Sequence, residues 1–239
     1  MASDKVHYEL VDKVAVVRLD DGKANALSHE VIDGLNRCLD RAEREAAAVL
    51  LVGRDRRLSG GFDLNTMLSG PEAARKLVTA GAELMLRLYG FSRPVVVACT
   101  GHALAAGAVL LLAADLRIGT SGDFKVGLNE VSIQMTLPIF AMELARARLS
   151  KRHFTGAATQ ARIYDPEGAK DAGFLDATAP AESLYSTALE QARRLAALPD
   201  PAFRNTKENE RGAIIRFVRE TLATDMAAIT DLRQVDQHG

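Results

Sequence analysis

Apolar residues along the chain alternate between short β-type runs and helical stripes. Residues 6–19 predict two short strands, and the second, Val14-Ala15-Val16-Val17-Arg18-Leu19, is β-branched and nearly continuous in apolar character. Asp20-Asp21-Gly22 then supplies turn chemistry. Ser28 is placed to cap a helix in which Val31, Ile32, Leu35, Leu39 and Ala42 share one face. Residues 47–52 predict a buried strand, and residues 53–63 a charged, Gly-containing loop. Gly70-Pro71 opens a second helix, with Pro at its first position. Ala74, Leu77, Val78, Gly81, Leu84, Met85 and Leu88 follow at spacings of three and four, and Gly90 is the stop.

The same order then returns. Residues 94–99 read as a buried strand, 101–107 as a loop of small residues, and 108–114 as an apolar helix. Apolar strand, small-residue loop and helix thus occur twice, at 49–65 and at 95–112. That alternation predicts a layered α/β fold, with ligands received at strand ends. Leu116-Arg117-Ile118 predicts another strand, and residues 124–130 a loop or short strand. Pro138 begins a helix over 139–149, and a small helix opens at Asp165-Pro166-Glu167 and closes at Gly173. Residues 181–198 and about 202–232 carry amphipathic helical patterns, with no strand expected among them.

Composition narrows the classes. The chain has 239 residues, 48% hydrophobic and 26% charged, which is globular. A formal charge of -1 argues against nucleic-acid binding through bulk electrostatics. Cys38 and Cys99 lie outside any CxxC pair and read as small core residues of a reducing compartment. The polar N-terminus shows no signal-peptide pattern, and the longest apolar run, residues 103–114, is too short for a membrane span. A cytoplasmic protein without membrane partners is expected.

Several chemistries lack their signatures. GxSxG is absent, the nearest string being Gly90-Phe91-Ser92-Arg93-Pro94. HExxH and GxxxxGK[ST] are absent too, the five histidines are scattered, and Gly101 to Gly107 lacks GxGxxG spacing. No metal site is expected.

Three strings carry a resemblance. Lys23-Ala24-Asn25-Ala26-Leu27-Ser28, Leu58-Ser59-Gly60-Gly61-Phe62-Asp63-Leu64 and Gly101-His102-Ala103-Leu104-Ala105-Ala106-Gly107 together resemble loops of the crotonase superfamily, the enoyl-CoA hydratase/isomerase family. Val126-Gly127-Leu128-Asn129-Glu130 and Ala169-Lys170-Asp171-Ala172-Gly173-Phe174-Leu175 resemble two further segments in the family's order. The resemblance implies a spiral of ββα units with a helical C-terminal region. Residues 1–195 would form the core with an acyl-CoA site, and 196–239 a helical oligomerisation region. It also implies a homotrimer or dimer of trimers, which the apolar Ile214, Ile215, Phe217, Val218 and Leu222 favour.

The implied substrates are acyl-coenzyme A thioesters, with coenzyme A as part of the substrate and no separate cofactor. Removing a proton beside the thioester carbonyl places charge on its oxygen, and backbone N–H donors can hold that charge. The resemblance puts the donors at Phe62 and Ala106, and the acid/base carboxyl at Glu130, among apolar neighbours that should raise its pKa. It places substrate lining at Lys23, Ala24, Ala26, Gly61, Phe62, Asp63, Leu64, Leu104 and Ala106. Asp63 itself reads as a helix cap, and Arg54, Arg56 and Arg57 suit either phosphate or solvent.

The chain also departs from the pattern. Family hydratases hold water between two glutamates, and the first of these positions is Val109 here. A single carboxylate favours moving a proton between two carbons, as an isomerase does, over delivering water. Glu143 is the nearest downstream carboxylate and reads as an exposed helix residue. Two rival readings stay open: a non-catalytic acyl-CoA-binding member, or another reaction of this fold such as hydrolysis, decarboxylation or dehalogenation.

Overall fold

The computed structural model describes residues 5–229. A hairpin of β1 (Val6–Val11) and β2 (Val14–Leu19) leads into α1 (His29–Glu45), whose first turn is capped by the Ser28 hydroxyl. Thereafter each apolar strand is followed by a short strand and then a helix. β3 (Ala48–Val52) leads to β4 (Arg56–Ser59), α2 (Leu64–Leu68) and α3 (Pro71–Tyr89). β5 (Val95–Cys99) leads to β6 (Gly101–Leu104) and α4 (Ala106–Ala113). β7 (Leu116–Thr120) leads to β8 (Val126–Gly127), a 3-10 turn (Val131–Ile133) and α5 (Ile139–Arg148). The rest is α6 (Lys151–Ala158), α7 (Pro166–Ala172), β9 (Ala177–Ala179), α8 (Ala181–Ala196) and α9 (Asp200–Ala227).

The strands sort into two sheets. The large one runs β1-β2-β3-β5-β7-β9, parallel apart from the first pair. The small one runs β4-β6-β8 and is parallel. Each of the three units that follow the hairpin therefore gives its first strand to the large sheet and its second to the small one, which is the repeated-unit α/β architecture expected.

The large sheet is covered on both faces, so its central strands need apolar residues at every position. In β3, Val49 and Leu51 join the main core, while Leu50 and Val52 face the second core beneath α8, with Leu184, Ala188 and Ala192. α4 is buried along its whole length, which is why its sequence shows no polar face.

Four elements differ from expectation. β4 and β6 lie inside segments read as loops. Strands of four residues with Arg56, Arg57 and His102 carry no apolar alternation to reveal them. β9 extends the large sheet where no strand was expected, and α6 fills residues to which the pattern assigned no element. β9 is only three residues long, held by pairing with β7 rather than by its own pattern.

α9 packs on the chain's own core through Val218, Leu222 and Met226, with Ile214 and Ile215 half-buried against it. Of the apolar residues expected to seek a second copy, Phe217 stays exposed at 47%. The end of the expected helix, residues 230–232, falls outside the described residues. Charge also anchors α9: Lys207 and Arg211 both reach Asp115, just past the end of α4, at 2.7 and 2.8 Å. Among the described residues, no helix is long and apolar enough to cross a membrane.

Candidate active site

Two buried polar residues wind the first turn of the site. The Asn25 side chain donates to the carbonyls of Leu19 (2.8 Å) and Leu58 (3.1 Å) and accepts the N–H of Asp21 (2.9 Å). Asp21 in turn accepts the N–H groups of Lys23, Asn25 and Ala26. The Ser59 hydroxyl donates to the Asn25 carbonyl (2.7 Å) and accepts the N–H of Gly61 (3.2 Å). Gly61 has a φ of +106°, a conformation an L side chain would strain. The Leu27 N–H donates to the Gly61 carbonyl, and the Asp63 N–H donates to the Leu27 carbonyl. Those bonds use the groups on both sides of Phe62 and leave its own N–H free among the described residues. The Phe62 ring lies on Gly81 of α3, where a Cβ would come within 2.2 Å of it.

The second turn stands at the start of α4. Ala105 holds a φ of +49°, a strained value for a residue with a Cβ. Its N–H donates to the Gly127 carbonyl (3.1 Å), and its carbonyl accepts from Ala108 and Val109. Ala106 is the first helical residue, so its N–H has no partner within the helix and stands at the positive end of the dipole. The two turns touch: a Cβ on Gly61 would lie 3.6 Å from the Ala106 nitrogen. Gly107 sits so close to β4 that a Cβ there would be 2.3 Å from the Ser59 carbonyl oxygen. Gly107→Ala is therefore expected to cost about 1–3 kcal/mol, measured by chemical denaturation, and to push the Ala106 turn away from Phe62.

Glu130 comes from the end of the β8 segment, at the entry to the 3-10 turn. It is 7% exposed, and its Oε2 has no hydrogen-bond partner. Burial pushes its carboxyl up to about 7, in the range useful for exchanging protons with a substrate near neutrality. Beside it, Asn129 Oδ1 is likewise buried and without a partner.

A cavity of about 210 Å³ joins these parts, with Phe62, Ala106 and Glu130 all among its lining residues. Gly60 and Leu64 also line it, whereas Lys23, Ala24, Ala26, Gly61, Asp63 and Leu104 lie outside the lining. Asp63 caps α2 by accepting the Thr66 N–H at 2.8 Å, as its sequence position suggested. Arg54 is engaged with Asp20 and the Lys23 carbonyl, so it braces the first loop rather than offering a free fork to phosphate. Arg56 lies over the Phe124 ring. Val109 is buried in the cavity wall, and Glu143 lies outside the lining, paired with Arg146 at 3.2 Å. Glu130 is thus the one carboxylate in the lining among the described residues. Sequence reasoning did not find Met67, Val78, Met135 or Ile229 in this wall. They are scattered along the chain and carry no local motif.

The family model for enoyl-CoA hydratase/isomerase matches residues 9–238. The chain belongs to that family, within the crotonase superfamily. Its members are enzymes named as hydratases or isomerases. A crystal structure of an enoyl-CoA hydratase/isomerase family protein from Pseudomonas syringae is 43% identical, with a TM-score of 0.93 over 96% of this chain and 100% of that one. A probable enoyl-CoA hydratase of Bacillus subtilis is 36% identical over 132 residues, covering 54% of this chain and only 50% of that protein. The human mitochondrial enoyl-CoA delta isomerase 1 is 29% identical over 205 residues, covering 84% of this chain and 68% of that protein. Both reaction names thus occur among relatives of this family member.

Proposed function

We propose that this chain is an enoyl-CoA isomerase, moving a double bond between C3 and C2 of an acyl-CoA thioester. The observation that carries the reading is the single buried carboxyl of Glu130 in a cavity where Val109 occupies the place of a second glutamate. As a carboxylate, Glu130 takes a proton from C2 of a 3-enoyl thioester. The electron pair moves onto the thioester oxygen, where the N–H groups of Phe62 and Ala106 receive the charge. Each such donor is worth about 3–4 kcal/mol in the transition state. The neutral Glu130 then returns the proton to C4, leaving the double bond between C2 and C3.

The surroundings suit this sequence of steps. The cavity wall is mainly apolar, so charge on the substrate oxygen is met by fixed dipoles rather than by mobile water. The turn that presents the Phe62 donor is held by the Asn25–Asp21–Ser59 hydrogen bonds, and the Ala106 turn by the Ala105 N–H on the Gly127 carbonyl, before any substrate arrives. Similarity to the human delta isomerase supports the same reading.

Incubating pure protein with 3-enoyl-CoA and, separately, with 2-enoyl-CoA tests it. Isomer formation from the first should exceed hydration of the second. Faster formation of 3-hydroxyacyl-CoA than of the isomer would instead make the chain a hydratase.

A further inference from the structure

A second, smaller cavity of about 90 Å³ lies against the first. The two share Met135, Thr136, Pro138 and Ile229 in their linings. These four residues therefore border both cavities, contributed by the segment after the 3-10 turn and by the residues just past α9. We propose that Met135 and Ile229 form a partition that limits the acyl group to short chains, and that thinning the partition joins the two cavities. The inference rests on the thioester reading of the larger cavity.

The volumes give the length. At about 30 Å³ for each water-sized group, a cavity of about 210 Å³ holds roughly seven heavy atoms. One is the thioester oxygen, which leaves an acyl group of about six carbons. The smaller cavity adds space for about three more.

The partition is pinned by polar groups at both ends. The Met135 N–H donates to the carbonyl of Glu130 itself (2.9 Å), across a turn in which Gln134 is left-handed with a φ of +60°. Asp225 of α9 accepts the N–H of Ile139 at 2.7 Å, which fastens α9 to the start of α5. Arg75 of α3 donates to the Ile229 carbonyl at 3.0 Å. α3 and α5 also supply Val78 and Phe140 to the cavity wall. The backbone of the partition is thus fixed to the helices that shape the site, while its side chains, a methionine and an isoleucine, are half-buried and open to truncation without emptying the core.

Calorimetric binding of saturated butanoyl-, hexanoyl-, octanoyl-, decanoyl- and dodecanoyl-CoA tests the partition without depending on turnover. Affinity should rise about fourfold per methylene while the chain is being buried, and then break beyond about six carbons. Met135→Ala and Ile229→Ala should each move that break about two to three carbons longer. An affinity that climbs through dodecanoyl-CoA without a break overturns the proposal, as does a break that stays in place in both variants. Failure of the isomerase reading looks different, because the length break would persist while hydration of 2-enoyl-CoA outran isomerisation of 3-enoyl-CoA. If none of the five thioesters binds, both fall together.

Discussion

Glu130→Gln should lose about 10²- to 10⁴-fold in kcat, the range expected when a positioned general base is removed. The substitution keeps the volume of the side chain and removes its capacity to take a proton. In the proposed mechanism the base must be ionised, and the Glu130 carboxyl sits at about 7 because burial disfavours the charge. kcat/KM should therefore rise about tenfold per pH unit below 7 and level off above it. Near-normal turnover in the glutamine variant would remove Glu130 from the mechanism.

The same residue makes a stability prediction with a worked sign. Glu130 in the folded chain holds its proton up to about 7, against 4.5 for an ordinary glutamate. Between those values the folded state binds more protons than the unfolded one, so stability falls as pH rises through the window. Above about pH 7 the full cost of the buried charge is present, and the uncharged amide of the variant does not carry it. The wild type should thus lose about 2–3 kcal/mol relative to Glu130→Gln between pH 5 and pH 8. Any orphaned amide in the variant costs the same at both pH values and cancels. Parallel denaturation curves at the two pH values would contradict the burial of this carboxyl.

That buried carboxyl was legible early, because its segment, Val126-Gly127-Leu128-Asn129-Glu130, resembles one of the family's and its neighbours Val126, Leu128 and Val131 are apolar. The large sheet was legible for a related reason. Strands covered on both faces must be apolar throughout, and β2, β3 and β5 stand out as such runs. The small sheet was only partly legible: residues 124–130, which hold β8, allowed a short strand, but β4 and β6 are short and include Arg56, Arg57 and His102, so pairing rather than pattern defines them. The glycines announced the two turns but not what they meet. Only coordinates show that Gly81 is the floor for the Phe62 ring and Gly107 the close contact to Ser59. The far wall of the cavity was the least legible part. Ile229 reaches it from just past a helix that begins at Asp200, and its place is set by Arg75 and Asp225.

Asp115→Asn should be the most damaging single change to folding outside the site. Asp115 is a carboxylate under two buried cations. Its Oδ2 accepts from Lys207 Nζ and from the Val95 N–H, both at 2.7 Å, and its Oδ1 forms an ion pair with Arg211 at 2.8 Å. The Lys207 and Arg211 side chains are each 5% exposed. Arg148, pushed down to about 10 by burial and by the neighbouring guanidinium groups of Arg211 and Arg117, adds more positive charge nearby. Removing the central negative charge leaves these cations uncompensated in a poorly solvated place, at a cost of about 3–5 kcal/mol.

The pH dependence separates the lost charge from a lost hydrogen bond. Burial already lowers Lys207 to about 8, and the attraction of Asp115 holds it up against that. Without Asp115 it should fall further. A cation whose folded pKa is depressed costs stability as pH falls towards that pKa. Relative to the wild type, the penalty of Asp115→Asn should therefore grow below about pH 8 and lose its Lys207 share above it, leaving the part due to Arg211. In the double variant Asp115→Asn/Lys207→Met, one of the stranded cations is gone, so the pair should be destabilised by less than the sum of the two single changes. Strict additivity, with a penalty that does not vary with pH, would mean that Lys207 and Asp115 are not coupled and that Lys207 does not anchor α9 by charge.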